Sequence, residues 1–174
     1  KDNRDKWRLL NDESESGINI LPQAFTVDGS RALLFTEEKS GPGSVVEWDP
    51  ASNERKVIAR DDNVDPLGLL MTHTGDRAFG VVFMDGLPKV QIFDAEAPAA
   101  KSQKMLQQAF PDQWVSIRSF TADGKELVFR VGSDRNPGEY YLLDASRKAT
   151  YLLSAREWVD PERMAPMKPI SYVA

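Results

Sequence analysis

A single histidine, His73, limits the chemistry that the side chains of this chain can perform. A Ser-His-Asp hydrolase of the α/β type holds its serine on a strained strand-to-helix elbow, G-x-S-x-G. No such string occurs, and one histidine supplies neither a triad with that serine nor a multi-histidine metal site. His73 falls in a turn, at a position where Asp or Asn is usual, so a turn or surface role is expected of it. Asp61-Asp62-Asn63-Val64-Asp65 sets oxygen side chains at alternate positions, as a calcium loop does. However, Pro66 stands where such a loop needs glycine, and Thr72 where it needs a bidentate glutamate. The segment is therefore read as a connection between elements, and the acid run Asp12-Glu13-Ser14-Glu15 as a solvated loop. No phosphate-binding glycine loop follows a strand, and Gly41-Pro42-Gly43 reads as a hairpin tip. Trp7, Trp48, Trp114 and Trp158 have the chemistry of a stacking platform for sugars or single-stranded DNA, but their recurrence near strand segments favours packing between sheets. No catalytic residue, metal site or cofactor is expected within the chain.

The elements that would position any site repeat three times. A glycine turn is followed about twenty residues later by an aromatic or leucine plus aspartate: Asp28-Gly29 to Trp48-Asp49, Thr74-Gly75-Asp76 to Phe93-Asp94, and Asp123-Gly124 to Leu143-Asp144. The glycines lie 46 and 49 residues apart, and a period of about 40–50 residues built from short strands is the mark of β-propeller blades. The third copy is the most regular. Val115 to Phe120, Leu127 to Val131, Tyr140 to Asp144 and Thr150 to Leu153 read as one antiparallel meander of four strands. In the first copy Ala32 to Thr36, Ser44 to Trp48 and Arg55 to Ala59 read as strands. The second has Leu69 to Met71, Ala78 to Met84 and Lys89 to Asp94, with Asp85-Gly86-Leu87-Pro88 as a loop. Its last element, Lys101 to Phe110, carries Met105, Leu106, Ala109 and Phe110 at helical spacing, so helix and strand are equally expected there. Lys6 to Leu10 reads as a strand left from an earlier blade, Asp160 to Met164 as one capped helical turn, and Ile170 to Val173 as the start of a strand without a partner. The expected fold is all-β: a partial propeller of about three four-stranded antiparallel blades, at about 23–60, 67–110 and 114–155. Residues 1–22 are assigned to the remnant and a loop, and 156–174 to a connector.

At 174 residues, with 41% hydrophobic and 28% charged side chains, the chain has the composition of an ordinary globular domain. Its net charge of −5, with lysines and arginines interspersed among acids, argues against nucleic-acid or anionic-membrane partners. No apolar run approaches the length of a membrane span. The absence of cysteine excludes disulfides and thiol chemistry and fits cytoplasm and periplasm alike. The opening Lys1-Asp2-Asn3-Arg4-Asp5-Lys6 has neither an initiating methionine nor the apolar core of a signal peptide, as expected of a piece of a longer protein.

Particular strings carry a resemblance beyond periodicity. Leu106-Gln107-Gln108-Ala109-Phe110-Pro111, Ser119-Phe120-Thr121-Ala122-Asp123-Gly124 and Ser133-Asp134-Arg135-Asn136-Pro137-Gly138-Glu139-Tyr140-Tyr141 resemble the last propeller blade of prolyl-oligopeptidase-family serine peptidases, in the acylaminoacyl-peptidase-like branch. The tail from Trp158 to Tyr172 is similar to the segment that leads into the hydrolase domain of that family, and Asp65 to Leu70 with Gly80 to Phe83 more loosely to the preceding blade. The resemblance covers about residues 60–174. It implies a non-catalytic propeller that gates and selects peptide substrates for an α/β-hydrolase domain of the same parent chain, a domain whose catalytic residues are not in this sequence. Ser116 and Arg118, on an expected inner strand, would line the substrate route if they face the axis; equally, Arg118 would pair with an acid on a neighbouring blade. A rival reading is a stand-alone propeller serving as a protein-interaction scaffold. A third, a carbohydrate-binding or carbohydrate-hydrolysing propeller, requires exposed aromatics or paired carboxylates converging on one pocket. An arc of blades with open ends is also expected to self-associate.

Overall fold

Three turns of one chemistry space the strands, and each starts at a threonine. Gly29, Gly75 and Gly124 have φ of +74°, +77° and +70°, and each donates its N–H to the threonine carbonyl three residues back, on Thr26, Thr72 and Thr121. In the first and third turns the threonine hydroxyl donates to an aspartate, Asp28 or Asp123, at 2.5 and 2.7 Å. The same hydroxyl accepts the N–H of Arg31 or Glu126, closing the turn onto the next strand. A left-handed residue is required at the third step, so glycine recurs there.

The computed structural model describes residues 8–170 and 172. Their fold is all-β with few helices: three antiparallel sheets of four, three and four strands, with no closed barrel. Sheet one is the meander β1 (Ile20–Phe25), β2 (Ala32–Thr36), β3 (Ser44–Trp48) and β4 (Arg55–Arg60). Sheet two contains β5 (Pro66–Met71), β6 (Ala78–Asp85) and β7 (Leu87–Ile92). Sheet three is β8 (Trp114–Phe120), β9 (Leu127–Gly132), β10 (Glu139–Leu143) and β11 (Ala149–Ser154). Pro22 lies in β1, at the edge of its sheet, beside a register irregularity that absorbs the missing N–H.

Several expectations need correction. The second unit has three strands, and its fourth element is a helix, α2 (Pro98–Ala109). That segment holds no β-branched residue, is rich in alanine, lysine and glutamine, and has proline in its first turn. Asp12–Glu15 is more than a loop: Asp12 caps a single turn, α1 (Glu13–Ser16), through its carboxylate. Sheet one begins at Ile20. Of the strand expected at 6–10, Lys6 and Trp7 lie outside the described residues. Arg8 to Leu10 is irregular, with the Arg8 guanidinium over the Trp48 ring and bonded to the Pro50 carbonyl. Leu87 and Pro88 belong to β7, because Gly86, at φ +74°, turns the chain between the paired residues Asp85 and Leu87. The capped turn near Asp160 is a 3-10 turn, Pro161–Arg163, with Asp160 accepting the Glu162 N–H. Ile170 and Tyr172 are exposed and outside any strand, while Ser171 and Val173 lie outside the described residues.

Packing between sheets forms the core. Val45 and Ala59 of sheet one meet Val81 and Phe83 of sheet two. Helix α2 wedges between sheets two and three: Ala99 and Ala100 pack with Phe79, and Leu106 with Val115, Phe129, Val131 and Leu143. Phe110, Phe129 and Tyr141 stack beside them at 5.3–6.0 Å. No tryptophan among the described residues belongs to these clusters, contrary to the expected packing role. Trp48 ends its strand and donates Nε1–H to the turn residue Asn53, and Trp158 is exposed on the tail.

Candidate functional site

The glycine turns of neighbouring sheets touch one another. The Phe25 N–H at the end of β1 donates to the Asp76 carbonyl, and Phe25 bridges Arg77 in parallel fashion. Arg77 then lies across Gly29, 3.0 Å from where a Cβ would stand, and donates to the Val27 carbonyl at 2.8 Å. His73 lies the same way across Gly124, also 3.0 Å from a would-be Cβ. The expected turn role of His73 thus becomes a specific contact between sheets two and three.

Ser116 and Arg118 are on β8, where they were placed by sequence. Ser116 is half-buried and Arg118 exposed, and Arg118 Nη1 donates to Ser116 Oγ at 3.3 Å. Among the described residues Arg118 forms no ion pair with an acid of a neighbouring sheet. Arg118 lines a groove of about 320 Å³ between β5 and β8, with Leu69, Phe79 and Ile117 in its walls. Gln103 of α2 also lines it. Its Nε2 donates to the Val115 carbonyl at 2.9 Å, which turns Oε1 the other way, buried and without a partner. The structure brings Arg118 to a groove but does not put Ser116 in its lining.

A second cleft, of about 430 Å³, opens on the glycine-turn side between sheets two and three. Arg77, Lys125, Arg147 and His73 line it together with Val27, Pro98, Phe120 and Leu127. Sequence reasoning missed this cluster because its basic residues stand 48 and 22 positions apart and only the fold joins them.

The recurrent aspartates act as turn acceptors. Asp49 accepts the Ala51 N–H at 2.8 Å, Asp94 the Glu96 N–H at 2.9 Å and Asp144 the Ser146 N–H at 2.8 Å. Hydrogen bonds hold several turn carboxyls below the usual range: Asp28 is lowered to about 2, chiefly by the Thr26 hydroxyl, and Asp123 and Asp144 are lowered by Thr121 and Ser146 respectively. These bonds stabilise the charged form, which suits turn construction and not proton transfer at neutral pH. The Asp61–Asp65 segment has structural partners too: Asp65 accepts the Gly43 N–H at 2.7 Å and Asp61 the Asn63 N–H at 2.9 Å. Among the described residues no three His, Asp or Glu side chains converge as metal ligands, and no helix is long and apolar enough to cross a membrane.

On the opposite side from the glycine turns, the tail after β11 runs across two hairpin tips. Arg135 donates to the Pro161 carbonyl at 3.2 Å, and the Met167 N–H to Asp134 at 2.6 Å. Pro169 then lies against Gly86, 2.9 Å from where a Cβ would be. No family model matches the chain, and no curated protein matches it.

Proposed function

We propose that the three sheets are consecutive blades of a β-propeller, the second with a helix in place of its outer strand, and that this propeller is the non-catalytic gating domain of a serine peptidase of the prolyl-oligopeptidase type. Its task is to select peptide substrates for an α/β-hydrolase domain of the same parent chain. Gating of this kind works by excluded volume, since blades around an axis leave only a narrow route to a covered site. The observation that carries the reading is the tail. The segment similar to a hydrolase lead-in leaves sheet three and is held across the hairpin tips by Asp134, Arg135 and Gly86, so the chain is delivered over one side of the sheets. Exposed Leu87, Trp158, Met167 and Ile170 lie on these same tips and tail and supply apolar surface for a domain seated there. Arg118, at the groove between first strands, is the substrate-route residue this reading favours, with Ser116 positioning its guanidinium.

The decisive test is the native reading frame beyond Ala174. A G-x-S-x-G string within the next couple of hundred codons supports the peptidase, and a stop codon overturns it in favour of an interaction scaffold. The chain by itself is expected to hydrolyse no peptide or acylaminoacyl substrate and to take up no fluorophosphonate probe. Stoichiometric labelling of any serine, read by mass spectrometry, would show that it contains a nucleophile of its own.

A further inference from the structure

We propose that the cleft on the glycine-turn side, between sheets two and three, binds an apolar carboxylate of the size of an N-blocked amino acid or a short peptide's C-terminal end. The inference is independent of any peptidase role. The cleft, at about 430 Å³, falls in the small-ligand range, and its lining mixes two chemistries. Val27, Pro98, Phe120 and Leu127 supply apolar surface, and Arg77, Lys125 and Arg147 line it with His73.

Of the three cations only Lys125 has an acid within the cleft, among the described residues. Asp123 is the one acidic lining residue described there, and that carboxylate accepts from the Thr121 hydroxyl and the Lys125 N–H and pairs with Lys125 Nζ at 3.4 Å. Arg77 and Arg147 each spend an N–H on a neutral oxygen, the Val27 carbonyl at 2.8 Å and the Ser102 hydroxyl at 2.7 Å. Among the described residues neither lies within ion-pair distance of a carboxylate, in a chain whose net charge is −5. Each guanidinium has five N–H donors in a fixed fork, so donors remain for a ligand while one tether holds the group in place. Arg147 also sits at φ +66°, where the matching turn of sheet one has Asn53 at +63°. A long cationic side chain is not what a left-handed turn position favours, and here the turn aims it at the helix and the cleft.

A bare inorganic anion would leave the apolar lining uncovered, and a neutral apolar molecule would leave the two guanidiniums without a counter-charge. A carboxylate on an apolar body satisfies both, and guanidinium forks match carboxylate geometry. The test is calorimetric and NMR titration of the whole chain at low salt with N-acetylphenylalanine, its amide, and inorganic phosphate. The acid should bind about tenfold tighter than the amide, as charge-assisted bonds dominate. Its shifts should fall at His73, Lys125 and Arg147, and affinity should drop about threefold in Lys125→Gln, with recovery in Lys125→Arg. Lys125 is exposed, so both variants should fold; circular dichroism checks this. Equal binding of acid and amide, equal competition by phosphate, shifts elsewhere, or no binding each overturns the proposal.

Discussion

Gly124→Val should destabilise the chain by about 1–3 kcal/mol, because a β-branched residue is forced to φ +70° with its Cβ 3.0 Å from the His73 ring. Gly68→Ala is the control, since nothing lies within 4 Å of its would-be Cβ and its φ is not positive; it should leave the urea midpoint nearly unchanged. Equal midpoints for the two variants would mean that the turn carries no strain and His73 no packing role. The turn aspartates give a signature in pH. Asp28 falls from an ordinary 3.8 to about 2, and Asp123 and Asp144 move in the same direction. A depressed folded-state pKa contributes stability that is complete above the unfolded value and lost as pH falls toward the folded one. The melting temperature should therefore decline between about pH 4 and pH 2, and more shallowly in an Asp28→Asn, Asp123→Asn double variant. Parallel declines for both proteins would rule out these turns as the source.

At the scale of elements, α2 is the piece on which two of the three sheets depend. Leu106 is 2% exposed and packs with Val115, Phe129 and Leu143, so Leu106→Ala should cost about 2–5 kcal/mol through lost burial and a residual cavity. A loss below about 1 kcal/mol, read from urea unfolding, would mean that the helix is a cover and not a core element. The helix also marks where sequence was legible. Met105, Leu106, Ala109 and Phe110 have helical spacing, which left helix and strand equally open until the structure showed the helix, and β2 and β3 begin and end at the residues expected of them. Gly86 was harder, because Leu87-Pro88 reads as loop until one sees Asp85 paired with Leu87 across a single glycine. The glycine of each turn was visible as a repeat, but the threonine before it was not singled out, since its part in the first and third turns lies in a hydroxyl shared between an aspartate and a backbone N–H. Contacts between units left no local signal at all. Arg77 over Gly29, Arg147 on Ser102 and Met167 on Asp134 join residues 48, 45 and 33 positions apart.

For the whole molecule, the outward face of sheet three decides how copies should meet. On the outward face of sheet one, Leu34 and Val46 are 1% and 6% exposed, while Val57, paired with Val46, is 53% exposed. Sheet three has two differing faces. Its inward face, through Phe129, Tyr141 and Leu143, is packed on α2, whereas Val128, Tyr140, Leu142 and Leu153 point outward, with Leu153 half exposed. Beside them β11 is an edge strand, paired on one side with β10, and its Leu152 is exposed as well. An apolar face next to an open strand edge is the surface a sheet protein must cover, by a neighbouring sheet or by a second copy. Association of sheet three with sheet three brings two copies together about a twofold axis. Sedimentation equilibrium over a hundredfold concentration range should show a monomer–dimer equilibrium. Leu153→Lys should shift it to monomer by placing a charge in the contact while leaving the melting temperature of the dilute protein unchanged. A wild-type monomer at every concentration, or larger assemblies that survive Leu153→Lys, would show that sheet three is not the face through which copies meet.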